Sequence, residues 1–152
     1  MYKSGFSDRF SMARSLLRMA RTEHQCQDCA ATRRRCVLVV EDEILVRLTI
    51  ADHLRGAGYE VVEAANATEA IAVFASGELV DVVFTDVQMP GAMDGLMLAR
   101  WVHEHHPSIH VLVTSGKGDA AVSSGLVPDG AFFSKPYPLE AVATRIQSLL
   151  DE

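Results

Sequence analysis

Five short apolar runs of strand character alternate with segments of helical periodicity along most of this 152-residue chain. The strands are predicted at 36–41, 59–64, a third run ending at Asp86, 109–114 and 130–134, with helices at 43–56, after Asn66, over 94–105 and from Pro138 onward. Each connection is too long for a β-hairpin, which favours parallel pairing with helices on both faces of one sheet. The sequence therefore predicts an α/β fold, namely a flavodoxin-like, doubly wound sheet of five parallel strands in the order 2-1-3-4-5.

Residue types that punctuate helices support these boundaries. Gly56 and Gly58 supply a stop for the first helix, and Asn66 with Glu69 three residues later forms a capping-box pattern for the second. Pro138 is suited to the first turn of the last helix, because its missing N–H has no partner there in any case.

Four of the predicted strands end in side chains that carry chemistry. The first ends in Glu41 and Asp42, the third in Asp86, the fourth in Thr114, and Lys135 follows the fifth. In the predicted order, strands 1 and 3 are neighbours, so the three carboxylates share one crevice at the carboxyl edge of the sheet.

Three carboxylates in one crevice repel one another unless a cation neutralises them. A hard divalent ion such as Mg²⁺ suits carboxylate oxygens, and Lys135 adds a second positive charge. Between these two charges a phosphoryl group would be balanced, which is the main requirement of phosphoryl transfer. Asp86 can then act as the nucleophile, and Thr114 can donate a hydrogen bond to a phosphoryl oxygen.

The motifs VLVVEDE, FTDVQMPGAMDG, VLVTSG and FFSKP occur in this order, and residues 36–152 resemble a response-regulator receiver domain, of the single-domain, chemotaxis-regulator-like kind. The resemblance implies Asp86 as phosphoacceptor, with Thr114 and Lys135 as its conformational and electrostatic partners. It also implies a Mg²⁺ site whose ligands are Glu41, Asp42, Asp86 and the backbone carbonyl of Gln88. Phe132 matches the aromatic switch position but lacks a tyrosine hydroxyl, and Lys135-Pro136 is expected to be a cis peptide.

This resemblance favours a signalling module over a turnover enzyme. Only two residues follow Leu150, so we expect a stand-alone response regulator that takes a phosphoryl group from a histidine kinase or a histidine phosphotransfer protein. It would catalyse its own phosphorylation and slow dephosphorylation, and signal to a downstream protein through protein–protein contacts. The alternatives are a phosphorelay intermediate or phosphate sink, and a pseudo-receiver adaptor that works without phosphorylation.

Charge is divided unevenly along the chain. Residues 1–36 hold eight Lys and Arg against three Asp and Glu, whereas residues 37–152 hold six against seventeen, within a total net charge of −6. Nucleic-acid affinity comes mainly from clustered Lys and Arg, so direct DNA binding by the acidic part is not expected. No apolar run approaches the roughly 18 residues of a membrane span. With no cysteine placed to staple the core, the predicted location is cytoplasmic.

Residues 1–35 are predicted to form a basic extension separate from the receiver-like part at 36–152. Residues 5–21 have a basic amphipathic pattern that could contact a membrane surface or a partner, but a poorly ordered leader, or sequence upstream of the true start, is the favoured interpretation. His24, Cys26 and Cys29 have a zinc-like spacing but no second ligand pair, so solvated thiols are favoured over a metal site, and Cys36 is predicted to be buried in a strand.

Two further segments carry predictions. The histidines at 103, 105 and 106 are interpreted as the solvated end of a helix rather than as a metal or phosphorelay site. Residues 116–130 contain four glycines and Pro128, which predicts a short or irregular fourth helix. We expect phosphorylation to act mainly by ordering this segment.

Overall fold

The computed structural model describes residues 33–116 and 131–152. The predictions for the N-terminal extension, for His24, Cys26 and Cys29, and for the fourth helix lie outside the described residues, since they fall within 1–32 and 117–130.

Strands and helices alternate as the sequence predicts. The strands are β1 Cys36–Val40, β2 Glu60–Ala64, β3 Val82–Asp86, β4 His110–Ser115 and β5 Phe132–Ser134; the helices are α1 Ile44–Gly56, α2 Ala67–Ala75, α3 Gly95–His105 and α4 Leu139–Leu150. All strand pairs are parallel, in the order β2-β1-β3-β4-β5. The predicted doubly wound α/β fold is confirmed.

The sheet buries two apolar layers, one on each face. Alternate residues such as Val39, Phe84 and Leu112 meet α1 and α4 in a first cluster. Their neighbours in the strands, such as Leu38 and Val83, meet α2 and α3 in a second cluster. Phe84 is 1 % exposed, and truncating a side chain so buried to alanine costs about 3–5 kcal/mol. Cys36 is also buried, as predicted.

Side chains or glycines fix the helix ends. The Asn66 side chain accepts a hydrogen bond from the Glu69 N–H at 2.9 Å, but Glu69 returns its bond to the N–H of Ala65 rather than to that of Asn66. Gly58, at φ 97°, follows α1 in the left-handed conformation that lets the chain leave the helix. Pro138 is the N-cap of α4, one position earlier than predicted.

No helix within 33–116 or 131–152 is long and apolar enough to cross a membrane.

Candidate phosphoryl-transfer site

The functional side chains continue the alternation of the core strands. Val39 and Phe84 belong to the first cluster, and two residues further along their strands stand Glu41 and Asp86. The same step of two residues leads from Leu112 to Thr114 in β4 and from Phe133 to Lys135 after β5. Leu112 also belongs to the first cluster, and Phe133 packs against it. Because side chains alternate between faces, all four polar groups lie on the sheet face that α1 and α4 cover.

The ammonium of Lys135 bridges two carboxylates. Its Nζ donates to Oε2 of Glu41 and to Oδ2 of Asp86, both at 3.0 Å. The Lys135-Pro136 peptide that follows is cis, as the resemblance implied. Glu41 is only 2 % exposed, and its other oxygen accepts from the N–H of Glu43 at 3.3 Å. Lys135 therefore holds the ends of β1 and β3 at one point.

The electrostatics of this bridge are uneven. Burial raises the pKa of the Glu41 carboxyl, and the hydrogen bond and charge of Lys135 offset only part of that rise. Burial lowers the pKa of the Lys135 amine, but its hydrogen bonds to Asp86 and Glu41 outweigh this, so the pKa is raised overall. The single ammonium of Lys135 neutralises only part of the negative charge of these carboxylates. A further cation would reduce the repulsion between them.

Glu41, Asp42 and Asp86 form the cation-binding candidate. Each offers a carboxylate oxygen, and these oxygens lie within 4.8 Å of one another. Glu41 and Asp86 are buried while Asp42 is exposed, so the cluster is open to solvent on one side. An all-oxygen set of this size fits a small hard ion that retains several waters, as Mg²⁺ does. Gln88 is exposed two residues beyond Asp86, and its carbonyl as a ligand stays a prediction.

Two buried oxygens at the site have no hydrogen-bond partner among the described residues. They are Oδ1 of Asp86, whose other oxygen is held by Lys135, and Oγ1 of Thr114. Asp86 and Thr114 are direct neighbours in the β3–β4 register. Buried polar atoms ordinarily find partners, and those that do not are associated with binding or catalysis. Both oxygens are available to a bound group at this edge of the sheet.

The loop after Asp86 is held by its backbone. The Val87 N–H donates to the Thr114 carbonyl at 2.8 Å, and the Gly95 N–H donates to the Val87 carbonyl at 3.0 Å. Gly95 lies so close to the Asp86 carbonyl that a Cβ there would overlap it. Sequence reasoning gave Gly95 no role, although its place in the MDG stretch, directly after the α3 N-cap Asp94, was a usable signal.

Phe132 is half-buried and lies opposite Val113 in the β4–β5 register, whereas Phe133 lies opposite Thr114. Phe132 therefore faces away from the side of the sheet that holds Thr114. Its role as a switch residue stays a prediction.

The histidines at the end of α3 differ in exposure: His103 and His105 are exposed, and His106 is half-buried. His105 stacks on Trp101 with ring centroids 4.6 Å apart, and His106 stacks on Phe74 at 4.7 Å. His105 is four residues after Trp101, which places the two rings one helical turn apart. His106 follows the end of α3, and its ring lies against Phe74 of α2. The prediction of a solvated helix end therefore holds for His103 and His105, whereas the half-buried His106 packs against Phe74.

The fold and site together define a doubly wound α/β domain with an acidic, lysine-bridged cation site at the carboxyl edge of its sheet. The family model described as the response regulator receiver domain matches residues 37–147. The chain belongs to this family, whose members act in two-component systems with histidine kinases, and in which phosphorylation and the use of magnesium are general features.

Similar proteins carry this domain within longer chains. The sensor kinase CckA of Brucella abortus is 38% identical over 119 residues, which are 76% of this chain and 12% of that protein. The DNA-binding transcriptional regulator NtrC of Salmonella typhimurium is 34% identical over 110 residues, 70% of this chain and 23% of that protein. The chain thus spans less than a quarter of the length of these two relatives.

Solved receiver structures match the fold across nearly their whole length. A response regulator receiver protein from Sinorhizobium medicae has a TM-score of 0.71 and 29% identity, covering 78% of this chain and 96% of its own. The chemotaxis protein CheY4 of Vibrio cholerae has a TM-score of 0.66 and 27% identity, covering 77% of this chain and 99% of its own.

Proposed function

We propose that this domain accepts a phosphoryl group from a histidine kinase, or from a histidine phosphotransfer protein, onto Asp86 and then signals through protein–protein contacts. The observation that carries the proposal is the state of the Asp86 carboxylate. Lys135 fixes one oxygen, Oδ2, at 3.0 Å, while Oδ1 is buried with no partner among the described residues. A carboxylate held by one oxygen and free at the other is oriented as a nucleophile.

The transfer step follows from this geometry. An oxygen of Asp86 attacks phosphorus, the new O–P bond forms as the P–N bond of the donor phosphohistidine breaks, and the imidazole leaves with the electron pair and takes up a proton. The Lys135 ammonium balances the negative charge on the transferred group, and the Thr114 hydroxyl donates to one of its oxygens. Glu41, Asp42 and Asp86 would hold Mg²⁺, which when bound supplies charge neutralisation for the phosphoryl oxygens.

An apolar groove beside the site supports a protein as phosphodonor. It has a volume of about 570 Å³ and is lined by the first half of α1 and by the loop after β5, including Leu45, Lys135 and Tyr137. Leu45 is 70% exposed and Ile44 58%. Exposed apolar side chains in a cluster mark interaction surfaces. The apolar face of a helix that presents the phosphohistidine would fit against these residues.

Phosphorylation by a small donor tests the acceptor. Acetyl phosphate with Mg²⁺ should add one phosphoryl group to the wild-type protein, measured by intact mass, and chelation of the metal should abolish the addition. Asp86→Asn should not be labelled, while Asp52→Asn, on the exposed surface of α1, should behave as wild type. Labelling that persists in Asp86→Asn would refute the assignment, and an unlabelled wild type would favour an adaptor that works without phosphorylation.

A second experiment tests the donor surface. Leu45→Asp should leave labelling by acetyl phosphate unchanged, because Leu45 is outside the acidic cluster, but should slow transfer from a phosphorylated histidine kinase. Equal transfer rates for Leu45→Asp and wild type would exclude the groove. A third experiment adds a histidine phosphotransfer protein to the phosphorylated domain. A relay or sink role predicts rapid loss of the phosphoryl group, and a signalling role does not.

A further inference from the structure

Thr114 lies beneath an aromatic layer that no part of the mechanism above uses. In the sheet register Thr114 is opposite Asp86 on one side and Phe133 on the other. Its hydroxyl is fully buried, and Oγ1 has no hydrogen-bond partner among the described residues. A hydroxyl has one hydrogen to donate and lone pairs to accept, so donation to a phosphoryl oxygen would still leave an acceptor in need of a partner.

Tyr137 packs over this position. Its ring meets Phe84 edge-on at a centroid distance of 5.8 Å and an angle of 78°, and it meets Phe133 at 6.0 Å. Phe84 and Phe133 share the sheet face of Thr114: Phe133 lies opposite it in β5, and Phe84 lies in β3 opposite Leu112, two residues before Thr114. Tyr137 also lines the groove beside α1, and so it stands between the buried site and the surface.

Charged and polar groups of the site change the pKa of the Tyr137 phenol. Burial raises its pKa most, whereas the Lys135 charge and the nearby Thr114 hydroxyl lower it. Tyr137 packs on Phe133, which lies opposite Thr114 in the sheet, so the two hydroxyls are neighbours. They do not form a hydrogen bond, since Oγ1 of Thr114 has no partner within the described part of the chain.

Building on the phosphoacceptor function proposed above, we propose that Tyr137 is a positioning residue: its phenol donates a hydrogen bond to Oγ1 of Thr114 and thereby directs the Thr114 hydroxyl hydrogen toward a phosphoryl oxygen on Asp86. The phenol is the suitable donor because the Lys135 ammonium is already shared between Glu41 and Asp86. Tyr137 touches no reacting atom and acts through Thr114. A phosphoryl group on Asp86 would in turn fix the Tyr137 ring at the wall of the groove.

A double-mutant cycle tests this coupling. Tyr137→Phe keeps the ring between Phe84 and Phe133 and removes only the hydroxyl, so it should slow labelling by acetyl phosphate with Mg²⁺ roughly fivefold, the effect of one lost hydrogen bond. In the Thr114→Val background, itself slower than wild type, the same change should have no further effect. Tyr59→Phe is the matched control, because the Tyr59 phenol donates to Gln147 at 3.1 Å outside the acidic cluster and should label at the wild-type rate.

A second measurement does not depend on turnover. With tyrosine labelled at the ring carbon that bears oxygen, the NMR signal of Tyr137, assigned with Tyr137→Phe, should shift when Mg²⁺ and beryllofluoride are added to the wild type. The shift should be much smaller in Thr114→Val.

The outcomes separate the two proposals. If the wild type is labelled and Tyr137→Phe is labelled at the same rate, the role of Tyr137 is overturned and the phosphoacceptor function stands. A defect of Tyr137→Phe that persists undiminished in Thr114→Val shows action by another route and also overturns it. If the wild type accepts no phosphoryl group, the proposed function fails, and the positioning role fails with it.

Discussion

Replacing Gly95 with alanine adds a Cβ against the backbone that carries Asp86. The added atom would overlap the Asp86 carbonyl oxygen and come to 2.7 Å from the Asp86 carbonyl carbon and 2.9 Å from Cα of Val87. All three atoms belong to the backbone, so no change of rotamer relieves the overlap. The end of β3 or the start of α3 must shift by about 1 Å or more to approach ordinary contact distances.

This shift has a stability cost and a functional cost. Overpacking of this kind destabilises by about 1–3 kcal/mol. Displacing a reacting group by about 1 Å can slow a reaction roughly 10²-fold. We therefore expect Gly95→Ala to lower the urea midpoint and, under conditions where the variant is still folded, to slow phosphorylation by acetyl phosphate far more than a comparably destabilising change in the core such as Ile146→Val.

Gly56 provides a control with the opposite expected sign. It is the last residue of α1, and its φ is not positive; apart from its chain neighbours and the backbone of its own helix, no atom of the described residues lies within 4 Å of a Cβ built there. Gly56→Ala should therefore leave stability unchanged or raise it by up to about 1 kcal/mol, because alanine has the better helix propensity. A Gly95→Ala protein with a urea midpoint equal to that of Gly56→Ala would refute the close approach of Gly95 to Asp86.

Three further predictions concern the charges and caps. Mg²⁺ at about 10 mM, with a dissociation constant of about 1 mM, should stabilise the protein by about 1.4 kcal/mol in thermal unfolding, and Asp42→Asn should reduce this gain without unfolding the domain. Lys135→Met should cost about 2–3 kcal/mol at neutral pH, less than for a fully buried pair because Lys135 is 29% exposed. The folded pKa of Glu41 is raised above 4.5, so its ionised form opposes folding and depends on the charge of Lys135. Protonation of Glu41 removes this dependence, so the stability deficit of Lys135→Met should narrow as the pH falls through the folded pKa of Glu41. A pH-independent deficit in urea titrations would contradict this. Asp94→Ala removes the α3 cap, a 2.8 Å bond to the Met97 N–H, and should cost about 1 kcal/mol in the same titrations, while Asp52→Ala should cost less than about 0.5.

The polar residues at strand ends were predictable because each depends on a local pattern, whereas the strand order was taken from the flavodoxin-like arrangement that alternating strands and helices favour. An apolar run that stops at Asp86 and is followed by Pro90 and Gly91 marks a strand end without knowledge of its neighbours. Parallel pairing then brings the carboxyl ends of β1 and β3 to one edge, and the oxygens of Glu41, Asp42 and Asp86 do lie together there.

What could not be predicted depends on contacts between segments distant in sequence. The packing of Tyr137 on Phe84 joins residues 53 positions apart and depends on how the loop after β5 turns. The approach of Gly95 to Asp86 depends on the path of the loop between β3 and α3. His106 meets Phe74 only because α2 and α3 cover the same face of the sheet. No period or spacing in the chain encodes these three contacts.

Core residues and functional residues alternate along the same strands. This domain is therefore more sensitive to the deletion of a residue within a strand than to a change of side-chain type there. Deleting one residue between Phe84 and Asp86, or between Leu112 and Thr114, would turn the carboxylate or the hydroxyl to the opposite face, toward α2 and α3. Substituting one aliphatic residue for another at Leu112 leaves that direction intact. Chimaeras of related domains should therefore retain the acceptor only when their junctions fall in loops or keep each strand at its full residue count.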